Sequence, residues 1–186
     1  MSQIPTVQWN YFLSLERDFI RTLDVVELDQ ANARAFGNEY AKLLLLIGSE
    51  TDVVAKMLIA QSNPQASANN MHDYQAALTA AFQGIDTVAV DVPRYQRTIQ
   101  PWQSWGTGPN SPPSWWSAYN KVKHERDTHF KLANQDNALT SLCGLLSLLL
   151  YLYHSQDVPE PYPQLLNCGF PGGLRMEGGP QLPGVT

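Results

Sequence analysis

Residues 114–131 read SWWSAYNKVKHERDTHFK, and the remainder of the sequence can be understood as a scaffold around this stretch. A helix turns by about 100° per residue, so residues three and four apart share a face. One narrow stripe of the helical wheel carries Trp115, Tyr119, Val122, Arg126 and Phe130. The spacing predicts a single helix over 114–131 with this stripe against the core.

Another side of the same wheel, well over a third of a turn from Arg126, is polar. It carries Asn120, His124 and Asp127, with Trp116 beside them. An Asn one turn before a His can hold the imidazole in one tautomer, and a neutral imidazole can act as a general base. A lone surface histidine is also common. Both a site and a solvated face fit this pattern.

Arg126 is unusual because a guanidinium on an apolar stripe is costly unless it finds a partner. One interpretation is a structural ion pair with an acid of the first helix, such as Glu16 or Asp18. The other is that Arg126 points into a cleft and binds a phosphate there.

Charge also singles out this stretch. Residues 121–131 carry four Lys or Arg and two Asp or Glu side chains, which gives +2, whereas the whole chain is at -5. The acidic total excludes a global positive field for nucleic acid, so such a contact must be local. Alternating charges also fit a solvated helix face.

Composition predicts one domain followed by a tail. The 186 residues are 44% hydrophobic and only 16% charged, which indicates a real core and some hidden surface, such as a partner interface. The two cysteines, Cys143 and Cys168, lie in unlike contexts, so we expect a reducing compartment rather than a disulfide framework. The start of the chain does not resemble a secretory leader, and we expect a cytoplasmic protein.

Hydrophobic periodicity predicts four further helices, over residues 7–28, 39–61, 71–82 and 138–153. We expect Gly37 and Asn38 at the start of the second and Asn63 before a proline at its end. Asp136 or Asn137 should cap the last helix. That helix is too short and too rich in hydroxyls for a bilayer span, so we expect a core helix and no membrane.

Two segments break this helical pattern. Residues 87–92 fit a short strand or merely an extended segment. Residues 93–113 are rich in proline and carry Trp102 and Trp105, whose rings either bury the loop against the bundle or stack on bases or a partner. We therefore predict an all-α up-down bundle of four to five helices with a long aromatic, proline-rich insertion before the penultimate helix.

The expected boundary places a helical bundle domain at residues 1–156 and a Pro/Gly-rich tail at 157–186. The tail holds six of the thirteen prolines and six of the twelve glycines, a composition that cannot bury a core of its own. If the tail docks, Leu165, Leu166 and Phe170 should be the residues that do so. The tail is also a candidate surface for a protein partner.

Other catalytic patterns are weak. His72 and His154 are isolated, and Asp127 with His129 lacks a second half, so no metal or other cofactor is expected. The sequence has no phosphate-binding glycine loop and no nucleophile elbow.

The segment YNKVKH at residues 119–124 resembles the motif of the HEPN superfamily, a group of all-helical bundle domains. That motif has an arginine, usually a polar residue, a short spacer and a histidine on the helix before the last. Asn120 and His124 match the polar residue and the histidine, and Tyr119 occupies the arginine position. The resemblance extends loosely over residues 7–156.

The resemblance implies a homodimer with facing motif helices and metal-independent RNA cleavage by the 2'-hydroxyl. In that scheme His124 is the acid or base, Asn120 orients it, and Arg126 or Lys123 stabilises the transition state. Lys123, Tyr119 and Trp116 would bind the substrate.

Two functions follow as hypotheses. The first is an endoribonuclease of a bacterial or phage conflict system, such as a toxin or a phage-defence effector. The second is a non-catalytic module of the same fold that binds a nucleotide, RNA or a protein partner.

Overall fold

The computed structural model describes residues 5–155, 158–167 and 182–185, and within them the fold is the all-α bundle that the sequence predicts. These residues form six α-helices and one two-stranded sheet. The helices are α1 (Val7–Thr22), α2 (Asn38–Ser62), α3 (Met71–Ala81), α4 (Ser114–His124), α5 (Arg126–His129) and α6 (Gln135–Leu152). The strands are β1 (Val90–Val92) and β2 (Arg97–Ile99).

The helix α6 is the centre of the bundle. Fifteen of its residues are buried, and it packs against α1, α2 and α4, with α2 as its most extensive partner. A helix that is apolar all round is stable only when neighbours cover every side. The prediction of a core helix is therefore confirmed. Cys143 lies within it and is buried.

None of the helices in the described ranges is long and apolar enough to cross a bilayer.

Several helix boundaries differ from those expected. The first helix ends at Thr22 rather than near residue 28, and the amides of Val25 and Val26 both donate to the Thr22 carbonyl in the turn that follows. The cap of α6 is Asn134, whose side chain accepts from the Asn137 amide at 2.9 Å, so the expected caps Asp136 and Asn137 were wrong. The expected end of α2 is confirmed, since Asn63 is extended there.

The insertion contains a small hairpin. β1 and β2 pair antiparallel, with Val90 opposite Ile99 and Val92 opposite Arg97. The turn between them includes Gln96 in the left-handed region at φ 51°. Of the two interpretations of residues 87–92, the strand is confirmed for its last three residues.

The tryptophans of the insertion, Trp102 and Trp105, are interior, as is Trp115 at the start of α4. Trp102, Trp105 and Trp115 are at most 4% exposed, and the Trp102 ring lies 4.3 Å from Trp105 and 5.2 Å from Trp115 between centroids. The Trp102 indole donates to the Ser147 hydroxyl on α6 at 2.7 Å. These rings bury the loop against the bundle, so base stacking on them is excluded in this conformation.

The predicted single helix over 114–131 is interrupted at Glu125, which leaves the helical region at φ -138°. Its carbonyl then accepts from the amides of Thr128 and His129 at the start of the next turn. A straight helix would carry Arg126 onto the buried stripe, where an unpaired guanidinium is costly. The break instead leaves Arg126 exposed, and the expected apolar stripe ends at Val122, with Phe130 only partly buried.

The described part of the tail packs on the bundle. Leu165 and Leu166 are buried, as expected for docking residues, whereas Phe170 and Cys168 lie outside the described residues. The buried carboxylate of Glu16 on α1 accepts from three successive backbone amides of the tail, those of residues 164–166, at 2.9, 2.9 and 3.1 Å. This group of hydrogen bonds is called the Glu16 clamp below.

Candidate functional site

A polar cleft of about 600 Å³ lies between α2, α3 and α4 and is closed on one side by the insertion. Its volume is in the range of ligand pockets. α2 contributes Ser49, Asp52 and Lys56; the start of α3 contributes Asn69, Asn70, Met71, His72 and Gln75; the insertion contributes Asn110 and Pro112; and α4 contributes Trp116, Ser117, Tyr119, Asn120 and Lys123. We call this space the α4 cleft.

The α4 cleft brings together four of the predicted site residues and leaves out two. Tyr119, Asn120, Lys123 and Trp116 line it. They fall on one side of α4 because they recur at three- and four-residue steps.

The remaining two predicted residues, His124 and Arg126, do not line the α4 cleft, and both are exposed. His124 is the last residue of α4, and no hydrogen bond joins it to Asn120 within the described part of the chain. The expected ion pair of Arg126 with an acid of the first helix was wrong, and its binding of a phosphate stays a prediction. Its expected partner Glu16 is engaged by the tail amides, and Asp18 pairs with Arg21 at 2.8 Å.

Tyr119 is held by close packing. Its side chain is 5% exposed, and its ring lies against Gly48 of α2, where an added Cβ would come within 2.4 Å of the ring. Only a glycine allows α2 and α4 to approach this closely. Tyr119 therefore joins the two walls of the cleft, with one side of its ring in the core.

Lys123 supplies an available positive charge. Its side chain is exposed, and its ammonium lies 5.4 Å from the centroid of the Tyr119 ring, a cation–π distance. Within the described residues Lys123 forms no ion pair. The ring limits where the flexible lysine can place its charge, at the edge of the α4 cleft.

The other charges of the cleft belong to a network on α2. Lys56 pairs with Asp52 at 2.6 Å, and the buried Tyr74 hydroxyl donates a short hydrogen bond to the same carboxylate. The pKa of Tyr74 lies above its ordinary value, mainly because the phenol is buried and further because its hydroxyl is bonded to Asp52. Two lysines and one aspartate line the cleft, which gives +1 in a chain at -5.

Gln75 fixes the wall that the insertion contributes. Its amide nitrogen donates to the carbonyls of Trp105 at 3.2 Å and Gly108 at 2.8 Å, and its oxygen accepts from the Ser111 amide at 3.0 Å. One buried side chain on α3 thus satisfies three backbone groups of an irregular loop.

Sequence reasoning missed the half of the cleft that α2 and α3 supply. Asp52 and Lys56 form a pair four residues apart, a pattern that usually marks a solvated helix face. His72 is isolated in sequence, and Asn69 and Asn70 resemble a polar link. The single available signal was Asn70 as a helix cap, which its side-chain bond to the Asp73 amide at 3.1 Å confirms.

The arrangement suits a polar ligand that carries negative charge. Cations lie at the edge, and amide side chains line the walls. Across residues 5–155, 158–167 and 182–185, no group of three or more His, Cys, Asp or Glu side chains is placed to hold a metal ion.

Comparison of the chain with protein-family models, with curated proteins and with solved structures finds no match.

Proposed function

We propose that this protein is a helical binding module that holds a nucleotide, free or at the end of an RNA strand, in the α4 cleft. The observation that carries the proposal is Lys123, a cation without an ion pair in the described residues, at a cleft with amide-bearing walls. Lysine binds phosphate as a compact point charge, so the phosphate belongs at Lys123.

The walls of the cleft favour a nucleotide over inorganic phosphate. Asn120 and Asn110 each offer an amide donor and acceptor, the groups that read the edge of a base or the hydroxyls of a sugar. Trp116 is 7% exposed and supplies an apolar surface below them. A free phosphate would leave these groups bonded only to water.

Binding rather than cleavage is favoured because His124 and Arg126 stand outside the cleft. The resemblance to HEPN domains assigns the chemistry to a histidine and an arginine, and Tyr119 takes the place of that arginine. A buried phenol packed on Gly48 cannot stabilise a developing negative charge as a guanidinium does.

RNA cleavage is the second candidate function. It is favoured by the position of Asn120 and Lys123 in the cleft and by the exposure of His124 directly after them. In a homodimer with facing α4 helices, the partner's exposed charges could complete the site. We include this dimer, a cytoplasmic location and a role in a bacterial or phage conflict system in the proposal. The described tail segment packs on its own bundle, which weakens the case for it as a partner surface.

Equilibrium dialysis with radiolabelled nucleoside monophosphates tests the binding function. We expect Lys123→Ala to weaken binding about tenfold, because one charge-assisted contact to phosphate is lost. Lys121→Ala is the matched control, since Lys121 lies on the same helix, is also exposed and does not line the cleft. Equal affinity of the two variants, or no binding of any nucleotide by the wild type, would refute the proposal.

Incubation of the purified protein with mixed RNA in chelator tests cleavage. A requirement for His124, shown by loss of cutting in His124→Ala and retained cutting in His129→Ala, would establish the second candidate. Absence of cutting by the wild type would leave only binding.

A further inference from the structure

A second groove, of about 520 Å³, shares no lining residue with the α4 cleft. It lies where the segment before α2 meets the segment before α6, and its walls include Gln30, Arg34, Phe36, Lys131, Asn134 and Asp136. We call it the Phe36 groove. One of its lining residues, Lys131, belongs to the positively charged stretch 121–131. Lys123 is the charged residue of that stretch that lines the α4 cleft.

The two walls of the Phe36 groove are joined by backbone hydrogen bonds. The Gly37 amide donates to the Ala133 carbonyl at 3.2 Å, the Gln135 amide to Ala35 at 2.9 Å, and the Asp136 amide to Ala33 at 3.0 Å. Phe36 and Asn134 form an antiparallel bridge between these bonds. The groove is therefore a preformed feature of the fold, and a ligand does not need to order it.

The charges of the groove favour an anion. Arg34 and Lys131 are exposed, and neither forms an ion pair in the part of the chain that the structure describes. The one carboxylate on the walls, Asp136, is bound by Arg97 at 2.9 Å. The surface thus presents two available cations and one neutralised acid, in a chain with a net charge of -5.

Phe36 is the apolar element of the groove and is 47% exposed. Its ring meets the ring of Phe130 at 87° with 5.6 Å between centroids, an edge-to-face contact that restricts its orientation. The exposed part of the ring gives an apolar surface to the same groove that Arg34 and Lys131 line. Flanking charges make the patch poorly suited to an apolar protein interface, whose centre is depleted in charge.

We propose that the Phe36 groove binds single-stranded nucleic acid, with an unpaired base on the Phe36 ring and the flanking phosphates at Arg34 and Lys131. Aromatic stacking between cationic side chains is the general means of holding a strand without reading its sequence. A duplex fits less well, because its bases are already stacked. The proposal does not depend on the α4 cleft, since the two surfaces share no lining residue.

Fluorescence anisotropy of a labelled 12-nucleotide oligouridylate with the full chain tests the proposal. We expect Phe36→Ala to weaken binding at least about fivefold, the lower end for loss of one base–aromatic stack, and Phe36→Tyr to keep the affinity. Arg34→Gln should reduce the slope of log affinity against log salt by about 0.7, as loss of one phosphate contact on a single strand requires. Val25→Ala, which changes an exposed apolar residue outside the groove, should bind as the wild type does.

Three results would overturn the proposal. They are wild-type affinity in Phe36→Ala, a duplex that binds as tightly as the single strand, or a phosphorylated peptide of equal charge that displaces the strand at lower concentration. Phe36→Ala should leave the mononucleotide affinity of the α4 cleft unchanged, and Lys123→Ala should leave the Phe36 stack intact. Failure at one surface is thereby distinguished from failure at the other.

Discussion

Tyr119 is a packing residue at the position where the motif that residues 119–124 resemble has an arginine. Its ring fills the space above Gly48 and extends to the cleft, so the two helices and the site share one contact. Replacement by arginine would place a guanidinium in that contact, where burial without a carboxylate is costly. The contacts of Tyr119 therefore indicate that this residue packs α4 against α2.

Gly48→Ala should destabilise the protein by roughly 1–3 kcal/mol, because the added methyl group forces the Tyr119 ring or α2 itself to move. Nucleotide binding in the α4 cleft should weaken in parallel. Urea unfolding and dialysis measure the two effects. Gly37→Ala is the matched control, since a Cβ there meets no atom within 4 Å, and a similar loss in both variants would contradict the packing argument.

Glu50 provides a prediction about pH. Burial raises the pKa of its carboxyl group in the folded protein, so the folded state holds this proton more tightly than the unfolded chain does. The contribution of Glu50 to the free energy of unfolding therefore falls as pH rises from the unfolded pKa through the raised folded pKa. Glu50→Gln should stabilise the protein at pH 7 and have a smaller effect at pH 4. Urea unfolding at both pH values measures this, and an equal effect at both would contradict it.

At the scale of residues, the sequence predicted only part of the site. Helical spacing put Trp116 and Asn120 on one side of α4, and both line the α4 cleft, because spacing depends only on local geometry within one unbroken helix. Arg126 was misplaced because a change of backbone direction at one residue, Glu125, invalidates every later position on the wheel. The position of Asp52 and His72 in the cleft could not be predicted, because it depends on which helices pack together.

At the scale of elements, the insertion is ordered by side chains more than by its own backbone pairing. The hairpin accounts for six residues, and the part from Trp102 to Ser111 is held by indole burial and by the three hydrogen bonds of Gln75. The sequence indicated aromatic burial, since four tryptophans lie within fifteen residues. Nothing in the sequence around Gln75 indicated that its side chain would bind the backbone of the loop.

Gln75→Ala should destabilise the protein by about 2 kcal/mol, because three backbone groups lose their partner and the bond to the Trp105 carbonyl is buried from water. The loss should be accompanied by faster hydrogen exchange at the Ser111 amide, which donates to this side chain. Gln61→Ala, at an exposed position near the end of α2, is the control for loss of a glutamine. Unchanged exchange at Ser111 would show that the tryptophans alone hold the loop.

At the scale of the whole molecule, the hydrophobic pattern predicted the helices of the bundle well. It did not predict the hydrogen bonds by which the tail is attached to α1. Four of the predicted helices appear near their expected places, because a buried face repeats every turn over many residues. The Glu16 clamp had no such signal. A carboxylate on an amphipathic helix is normally exposed, and the three amides that bind it lie about 150 positions later in a segment of loop composition.

Glu16→Ala should lower the free energy of unfolding by roughly 3 kcal/mol, since charge-assisted hydrogen bonds to a buried carboxylate are lost together. Hydrogen exchange at the Leu165 and Leu166 amides should accelerate much more than exchange in α6. Glu39→Ala removes an exposed glutamate that pairs with Lys42 and serves as the control. Equal protection of the tail amides in wild type and Glu16→Ala would contradict the clamp.

The Glu16 clamp also sets an order of events during synthesis. α1 leaves the ribosome before α2 to α6, whereas residues 164–166 follow only after α6, the central helix, has been made. Until then the Glu16 carboxylate must stay hydrated, which opposes burial of that side of α1. The nascent chain can therefore assemble α2, α3 and α4 early, and α1 reaches its final position only after residues 164–166 have been made. The single buried charge of Glu16 would thus delay the packing of α1 on the bundle until residues 164–166 are present to bind it.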